Sequence, residues 1–556
     1  MAEDQSRSAA PSGEPEGNGE GTAAQVRRRR NHARMAPVLA ALTGTAAIVV
    51  AAGIAVAGSA LPAPTAARTA DPSSVALPAG QSVQDCPGPA RLLAGADAGT
   101  DPQFSPASKS SATAVSSLLL SNPAGVLPGA VLSSVDKGTP LATIAPAPAA
   151  GTASAAPSPG TVRKAAVPAA QPVDAASVLR SAPVDGQRSA VNSMLTFTAD
   201  DGDLRGLAAV NCQTPANDLW LMGASTSVGR TGILLISNTS ATAATVNLEL
   251  YGDSGAIQAP GASGLLVPPG TVRSVVLAGL AADQKNVAVH LKSTGGPVGA
   301  VIQESVLRGL VPGGVEFIAP TNAPAVRQVI AGVQAQEPTL AASLTGQQGY
   351  ADAATALDVA VPGPQDAVVQ VKVYGTGGQA SLPNGGVFTA KAGSVSELAL
   401  TGLPAGSYTI DVRSEASLAA SVRVVRGTKA GEPTDLATAV AAPQLGDGQL
   451  LVFPSNASST LLLGVPDGHA KVGLTPVGTD GTVLAGKTVD VGAGTTVSVD
   501  PRQLAGTAVA GFIVSATGDP VYGAQLLTVK DGPGIAVAAV PRGLAAAQSV
   551  TVLLGY

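Results

Sequence analysis

The sequence predicts an all-β protein, a tandem array of immunoglobulin-like β-sandwich-type units that follows one N-terminal transmembrane helix. Three observations carry this. The 66 glycines and 43 prolines break the chain too often for long helices and suit short strands joined by turns. Hydrophobic residues reach 45% while aromatics are only 2%, so Ala, Val and Leu must fill the cores. Such small side chains suit narrow two-sheet interiors better than a deep catalytic cleft. A strand–turn–strand pattern also recurs along the chain. With about 150 residues per domain as a prior, 556 residues make three or four domains.

Residues 1–34 read as a disordered, basic cytoplasmic head. They begin polar and acidic and end in "VRRRRNHAR", which holds Arg27, Arg28, Arg29, Arg30 and Arg34. Residues 35–61, "MAPVLAALTGTAAIVVAAGIAVAGSAL", carry no charge and are long enough, at about 1.5 Å per residue, to cross a hydrocarbon core of roughly 30 Å. Arginines crowd the front of this run and only Arg68 follows it closely, which places the N-terminus in the cytoplasm. The expectation is a single-pass membrane protein with its bulk outside the cell. The competing reading is a cleaved signal peptide with a small-residue site near Ala55-Val56-Ala57, against which the uncharged run exceeds the roughly 7–15 residues of a signal core.

Residues 62–216 read as a degenerate β unit with a Pro/Ala-rich insertion at about 138–178, expected to be extended and mobile. Cys86 and Cys212 are the only two cysteines. In an oxidising compartment an even count makes a disulfide the default, with two separate buried thiols as the alternative. No histidine accompanies either, so a metal site is unsupported. The stretch "NSMLTFTADDGDLRGLAAVNC" matches "VHLKSTGGPVGAVIQES" further on, which puts Cys212 on a last strand and Cys86 on or near a first.

Three clearer β units follow, at 217–325, 326–443 and 444–556. "TVNLELYGDSGAI" from Thr245, "VVQVKVYGTGGQA" from Val368 and "KVGLTPVGTDGTV" from Lys471 each alternate apolar and polar residues and then turn at glycine, a hairpin signature. Downstream, "VPPGTVRSVVLAGL" matches "AKAGSVSELALTGL" and "VGAGTTVSVDPRQL". "VAVHLKSTGGPVGAVIQESVLRG" then answers to "YTIDVRSEASLAASVRVVRG" and "AGFIVSATGDPVYGAQLLTVKDG".

The alignment also disposes of a tempting motif. Gly252-Asp253-Ser254-Gly255 has the letters that surround the nucleophile of trypsin-like proteases, yet Ser254 stands where the next units have Gly377 and Asp480. Those are turn residues. A serine nucleophile also needs an oriented base. Of the three histidines, His32 lies in the cytoplasmic head, His290 in mid-strand and His469 in a turn, so no catalytic residues are assigned.

Asp200, Asp201 and Asp203 lack the ligand spacing of a calcium loop and read as a solvated turn. Trp220 reads as core packing or a seal between units rather than a ligand platform. Tyr251 and Tyr374, at matching strand ends, read as cover for sandwich edges, and Arg308 and Arg426 as partners for acids across a unit joint. The net charge of −5, with no basic stripe beyond the head, argues against nucleic-acid binding.

The basic head, the single apolar segment, "CPGP" at Cys86 to Pro89, a second cysteine before "LW", and the stretch from Asn238 to Gly255 together resemble an uncharacterised family of actinobacterial exported, membrane-anchored β-rich proteins. The resemblance covers most of residues 80–540 and implies no activity, cofactor or catalytic residue. The expected function is a non-enzymatic, membrane-anchored extracytoplasmic scaffold or interaction protein of the cell envelope, partnered by envelope proteins or cell-wall polymer. The alternative is a cell-wall glycan-binding module or an accessory subunit of an envelope glycosyltransferase.

Overall fold

The computed structural model describes residues 73–77, 79–93, 106–148, 163–543 and 548–552. The arginines of the head and the apolar run 35–61 lie outside these residues. No helix among the described residues is long and apolar enough to cross a membrane. The described residues of the unit Val75–Val550 are all-β and hold four sandwiches, each of two sheets.

The second sandwich shows the pattern. Alternation along Ala244–Gly252 buries Val246, Leu248 and Leu250 and exposes Asn247 and Glu249, as a half-buried strand requires. This strand lies between Val287–Gly295 and the short strands Gly255–Ile257 and Leu265–Val267, and Asp218–Ala224 completes the sheet beyond Val287–Gly295. The facing sheet runs Thr271–Val276, Arg230–Asn238, Gly299–Arg308, Val311–Ile318. Counted along the chain, one sheet has the order 1-6-3-4 and the other 5-2-7-8. Leu234, Ile236, Val289, Leu291 and Ile302 meet between them.

The same order recurs three more times. In the third sandwich strands six and seven fuse into one 21-residue strand, Gly406–Arg426, which crosses from one sheet to the other. Gly295, Gly296 and Pro297 break the chain at this point in the second sandwich, whereas "SEASL" in the third has neither residue type and continues. The fourth sandwich runs from Gln449–Val452 to Ile535–Ala539. The first begins at Ser82–Cys86 and ends at Gly206–Asn211.

Three expectations are corrected. The strand order is not immunoglobulin-like: there the first and second strands share a sheet, whereas here the first pairs with the sixth and the second lies across the core. The Pro/Ala-rich stretch at 138–178 is not one long spacer, because Pro140–Ala145, Ala165–Ala166 and Gln171–Pro172 are its fourth and fifth strand positions and Ser177–Ser181 starts within it. Proline is tolerated there because these are edge strands. Finally, "NSMLTFTADDGDLRGLAAVNC" does not correspond to "VHLKSTGGPVGAVIQES": Val191–Ala199 and Gly206–Asn211 are the seventh and eighth strands of their sandwich, whereas Val287–Gly295 and Gly299–Arg308 are the sixth and seventh of theirs.

All four joints use the same pair of surfaces. The sheet that carries the first strand of one sandwich packs on the sheet that carries the last strand of the next. Asp85 meets Ser237 at the first joint. Trp220, Met222 and Ala288 cover Ala360, Val395 and Ala419 at the second. Thr496 donates to the Tyr374 carbonyl oxygen at the third, at 2.6 Å. At the fourth, Asn192 Nδ2 donates to the Leu450 carbonyl oxygen at 2.9 Å, and Leu118 and Met194 pack with Leu450 and Val452. A head-to-tail contact that returns to its start makes a closed ring.

Candidate interaction site at the ring axis

The last strands of the four sandwiches, Gly206–Asn211, Val311–Ile318, Asp435–Val440 and Ile535–Ala539, stand around the ring axis. Each neighbours the next, and the fourth neighbours the first. They belong to different sheets, so they are not hydrogen-bonded to one another as a ladder.

Asp435 ties them together. Its Oδ1 accepts from Val315 N at 3.1 Å, and its Oδ2 from Leu207 N at 2.9 Å and Ile535 N at 3.0 Å. One wholly buried carboxylate thus closes the free edges of the three other last strands. Where Asp435 stands, the other strands have Gly206, Gly314 and Gly534. A Cβ on Gly206 would lie 2.6 Å from the Asp435 carboxylate, and Gly206 (φ 152°) and Gly314 (φ 119°) adopt backbone angles that L side chains rarely take. Burial pushes the Asp435 carboxyl well above its ordinary value, against the pull of the amides that bond it.

Above Asp435 the four strands wall a funnel of about 520 Å³. Because Leu207 N turns to the axis, and bonded and non-bonded positions alternate in an antiparallel ladder, Ala209 and Asn211 also point their main-chain groups inward. The same alternation turns Phe317, Val440 and Val537 inward. Asn211 Nδ2 uses the Ala539 carbonyl oxygen at 2.9 Å, and Glu316 takes the Thr438 hydroxyl at 2.8 Å and its N–H. Three side-chain atoms of the lining, Gln84 Oε1, Asn192 Oδ1 and Gln213 Nε2, are buried without a protein partner. Asp218 and Arg542 bring charge to the lining.

A second buried polar set fills the joint between the second and third sandwiches. Arg230 bridges Glu304 at 2.9 Å and Asp352 at 2.8 Å, and Arg423 bonds Glu397 at 2.9 Å. Both oxygens of Asp358 are buried without a protein partner. Burial raises Glu304 to about 7 against Arg230, Glu316 to about 7 against Thr438, and Asp358 to about 7 against Arg423. At the first joint burial raises Asp85 to about 6 against Ser237.

These shifts predict an unusual pH response. An acid whose folded value lies above its unfolded one stabilises the protein at low pH, and that support is lost as pH rises through the folded value. Stability should therefore fall between about pH 4.5 and 7. Burial also works to raise Asp352 and Glu397, but their arginine partners outweigh it and hold both low, so their contribution fades only below about pH 4. Urea melts should give a higher midpoint at about pH 5 than at about pH 7.5, and Asp358→Asn should flatten the difference. A higher midpoint at the upper pH would contradict this assignment.

The residues singled out in the sequence fall as follows. Cys86 and Cys212 form a disulfide, with Cα atoms 4.4 Å apart, joining the first strand of one sheet to the end of the last strand of the other. Asp253 and Ser254 are the exposed corner of a hairpin in which Gly252 pairs with Gly255. Both ring nitrogens of His290 face carboxylates, Glu249 and Asp218, each at 2.9 Å, and its ring stacks on Trp220 at 4.0 Å. His469 is an exposed turn residue 3.7 Å from Asp490. Asp201 accepts from Ser108 and Ser110, bonds that hold its carboxyl low and tie two loops together. Among the described residues no cluster of three or more His, Cys, Asp or Glu is placed to hold a metal.

Tyr251 stacks near Trp220 at the second joint, and Tyr374 covers Gly494 at the third. Arg308 pairs with Asp352 across the second joint at 3.0 Å and lies over the Tyr350 ring, whereas Arg426 reaches the Gly534 carbonyl oxygen rather than an acid. Asp435 escaped the sequence reading. Its signal was a column of three glycines and one aspartate at the head of the last strands.

Fold and site define a closed ring of β-sandwiches with an axial funnel. Residues 167–502 match DUF5719, a family of unknown function, and the chain belongs to that family. No curated protein matches it. Among solved structures, the full-length major pilin RrgB from Streptococcus pneumoniae aligns over 82% of this chain and 90% of its own at 10% identity, and its TM-score of 0.09 carries no structural argument.

Proposed function

We propose that the protein is a non-enzymatic scaffold of the actinobacterial cell envelope, held to the membrane by residues 35–61 with its N-terminus cytoplasmic and its ring outside. The observation that supports this reading is the ring itself. Its sandwiches are fixed to one another by buried joints, and its axis presents strand edges rather than a nucleophile beside a base. A fixed array of edges suits holding other molecules in register more than turning a substrate over.

A glycan-binding reading has one observation in its favour. Between the first and fourth sandwiches runs a groove of about 830 Å³ lined by Phe453, Asn456, Asp500, Arg502 and Lys530. Cross-linking in intact cells, with the exported part tagged, separates the two. Capture of an envelope protein such as a membrane transferase is the expected result. Recovery of wall polymer alone would replace the scaffold reading with the glycan one.

A further inference from the structure

We propose that the axial funnel receives an extended segment of another polypeptide, with small uncharged side chains, which pairs through its main chain with the strand edges that wall it. The inference rests on the scaffold reading and names the kind of partner.

Three independent features point to it. Strand edges that are not paired in a sheet are templates for an added strand, and here they converge on one cavity. Ala209, Val440 and Val537 turn main-chain groups into the funnel, as shown by the alternation of their ladders. Asp435 and Glu316 already act as such partners lower down, accepting from Leu207, Val315, Ile535 and Thr438. Where the chain itself supplies an acceptor, the N–H groups of these strand edges donate to it.

The second feature is the orphaned amide atoms. Asn192 is 2% exposed and Gln84 7% exposed, and each holds an oxygen without a protein partner within the funnel wall, out of reach of solvent, as Gln213 holds its nitrogen. Leaving such atoms unpaired costs free energy. The third is composition. Alanine and valine are the commonest residues of the lining, which leaves room for small side chains beside the charges of Asp218 and Arg542.

The test uses the exported chain and a fluorescein-labelled acetyl-Ala-Val-Ala-Thr-Ala-amide, followed by fluorescence polarisation. A second probe carries N-methyl groups on alternate amides, and a third competitor is an N-acetylglucosamine tetramer. Saturable binding of the first peptide, weakened at least about tenfold by N-methylation, is the expected result, since methylation removes the donors a strand edge needs. Ala539→Trp, at a partly exposed lining position, should weaken binding by a similar factor. Should that variant fold poorly, hydrogen exchange at the Ala209 and Val537 amides of the unaltered protein should slow on adding peptide. Equal binding of the methylated peptide, no binding of either, or displacement by the sugar tetramer would overturn the proposal. A funnel that binds no peptide leaves the scaffold reading standing, because cellular cross-linking reports partners on any face of the ring.

Discussion

Asp435→Ala is expected to destabilise the ring by about 3 kcal/mol or more, because three buried main-chain N–H groups lose their acceptor at about 1–3 kcal/mol each. Asp435→Asn should be nearly as harmful despite its equal size. Both carboxylate oxygens act as acceptors, one for Val315 and the other for Leu207 and Ile535, so an amide must turn its NH₂ toward at least one N–H. Most of each core lies within one sandwich, so the loss should appear first as opening around the axis. Urea denaturation followed by tryptophan fluorescence reports it, since Trp220 seals a joint. An Asn variant within about 0.5 kcal/mol of the unaltered protein would show that an ionised carboxylate is not needed to hold these strands.

Replacing Cys86 and Cys212 together by serine is expected to cost about 4–5 kcal/mol by chain-entropy arithmetic, because the bond closes a loop between residues 126 apart in sequence. The bond joins the two sheets of the first sandwich, whose core also takes in Val301, Val315 and Phe317 from the second. Loss of the bond should therefore loosen the first joint along with the first sandwich. Limited proteolysis before and after reduction should show new cleavage within 106–215 and leave the third sandwich intact. A change below about 1 kcal/mol would mean that the unfolded chain is already constrained in other ways.

The strands of the later units were legible because they alternate strictly and repeat with matched turns. Val246, Leu248 and Leu250 announce their face, and their counterparts in the next two units do the same. The disulfide was legible from two cysteines and an exported reading. Ring closure was not, because the joints are made of ordinary small residues such as Ala288, Ala360 and Ala419, which read alike whether they pack or face water. The strand order was hidden for a different reason. Spacing gives the sequence of strands, while which sheet each joins depends on contacts across the core.

At the axis the decisive group is a single aspartate, chemically unremarkable in sequence and defined only by three amides that come from distant parts of the chain. The tyrosines lie between these extremes. Their matching positions were visible, and the fold shows why they match: Tyr251 and Tyr374 stand at successive joints, where Val477 takes the same place at the fourth.

The most direct test of the closed ring is hydrogen exchange resolved at single amides. Leu207, Val315 and Ile535 should exchange slowly in the unaltered protein and accelerate together in Asp435→Ala, while Ala208, bonded within its own sheet, stays protected. Fast exchange at these three amides in the unaltered protein, or acceleration of only one of them in the variant, would contradict a ring closed on Asp435.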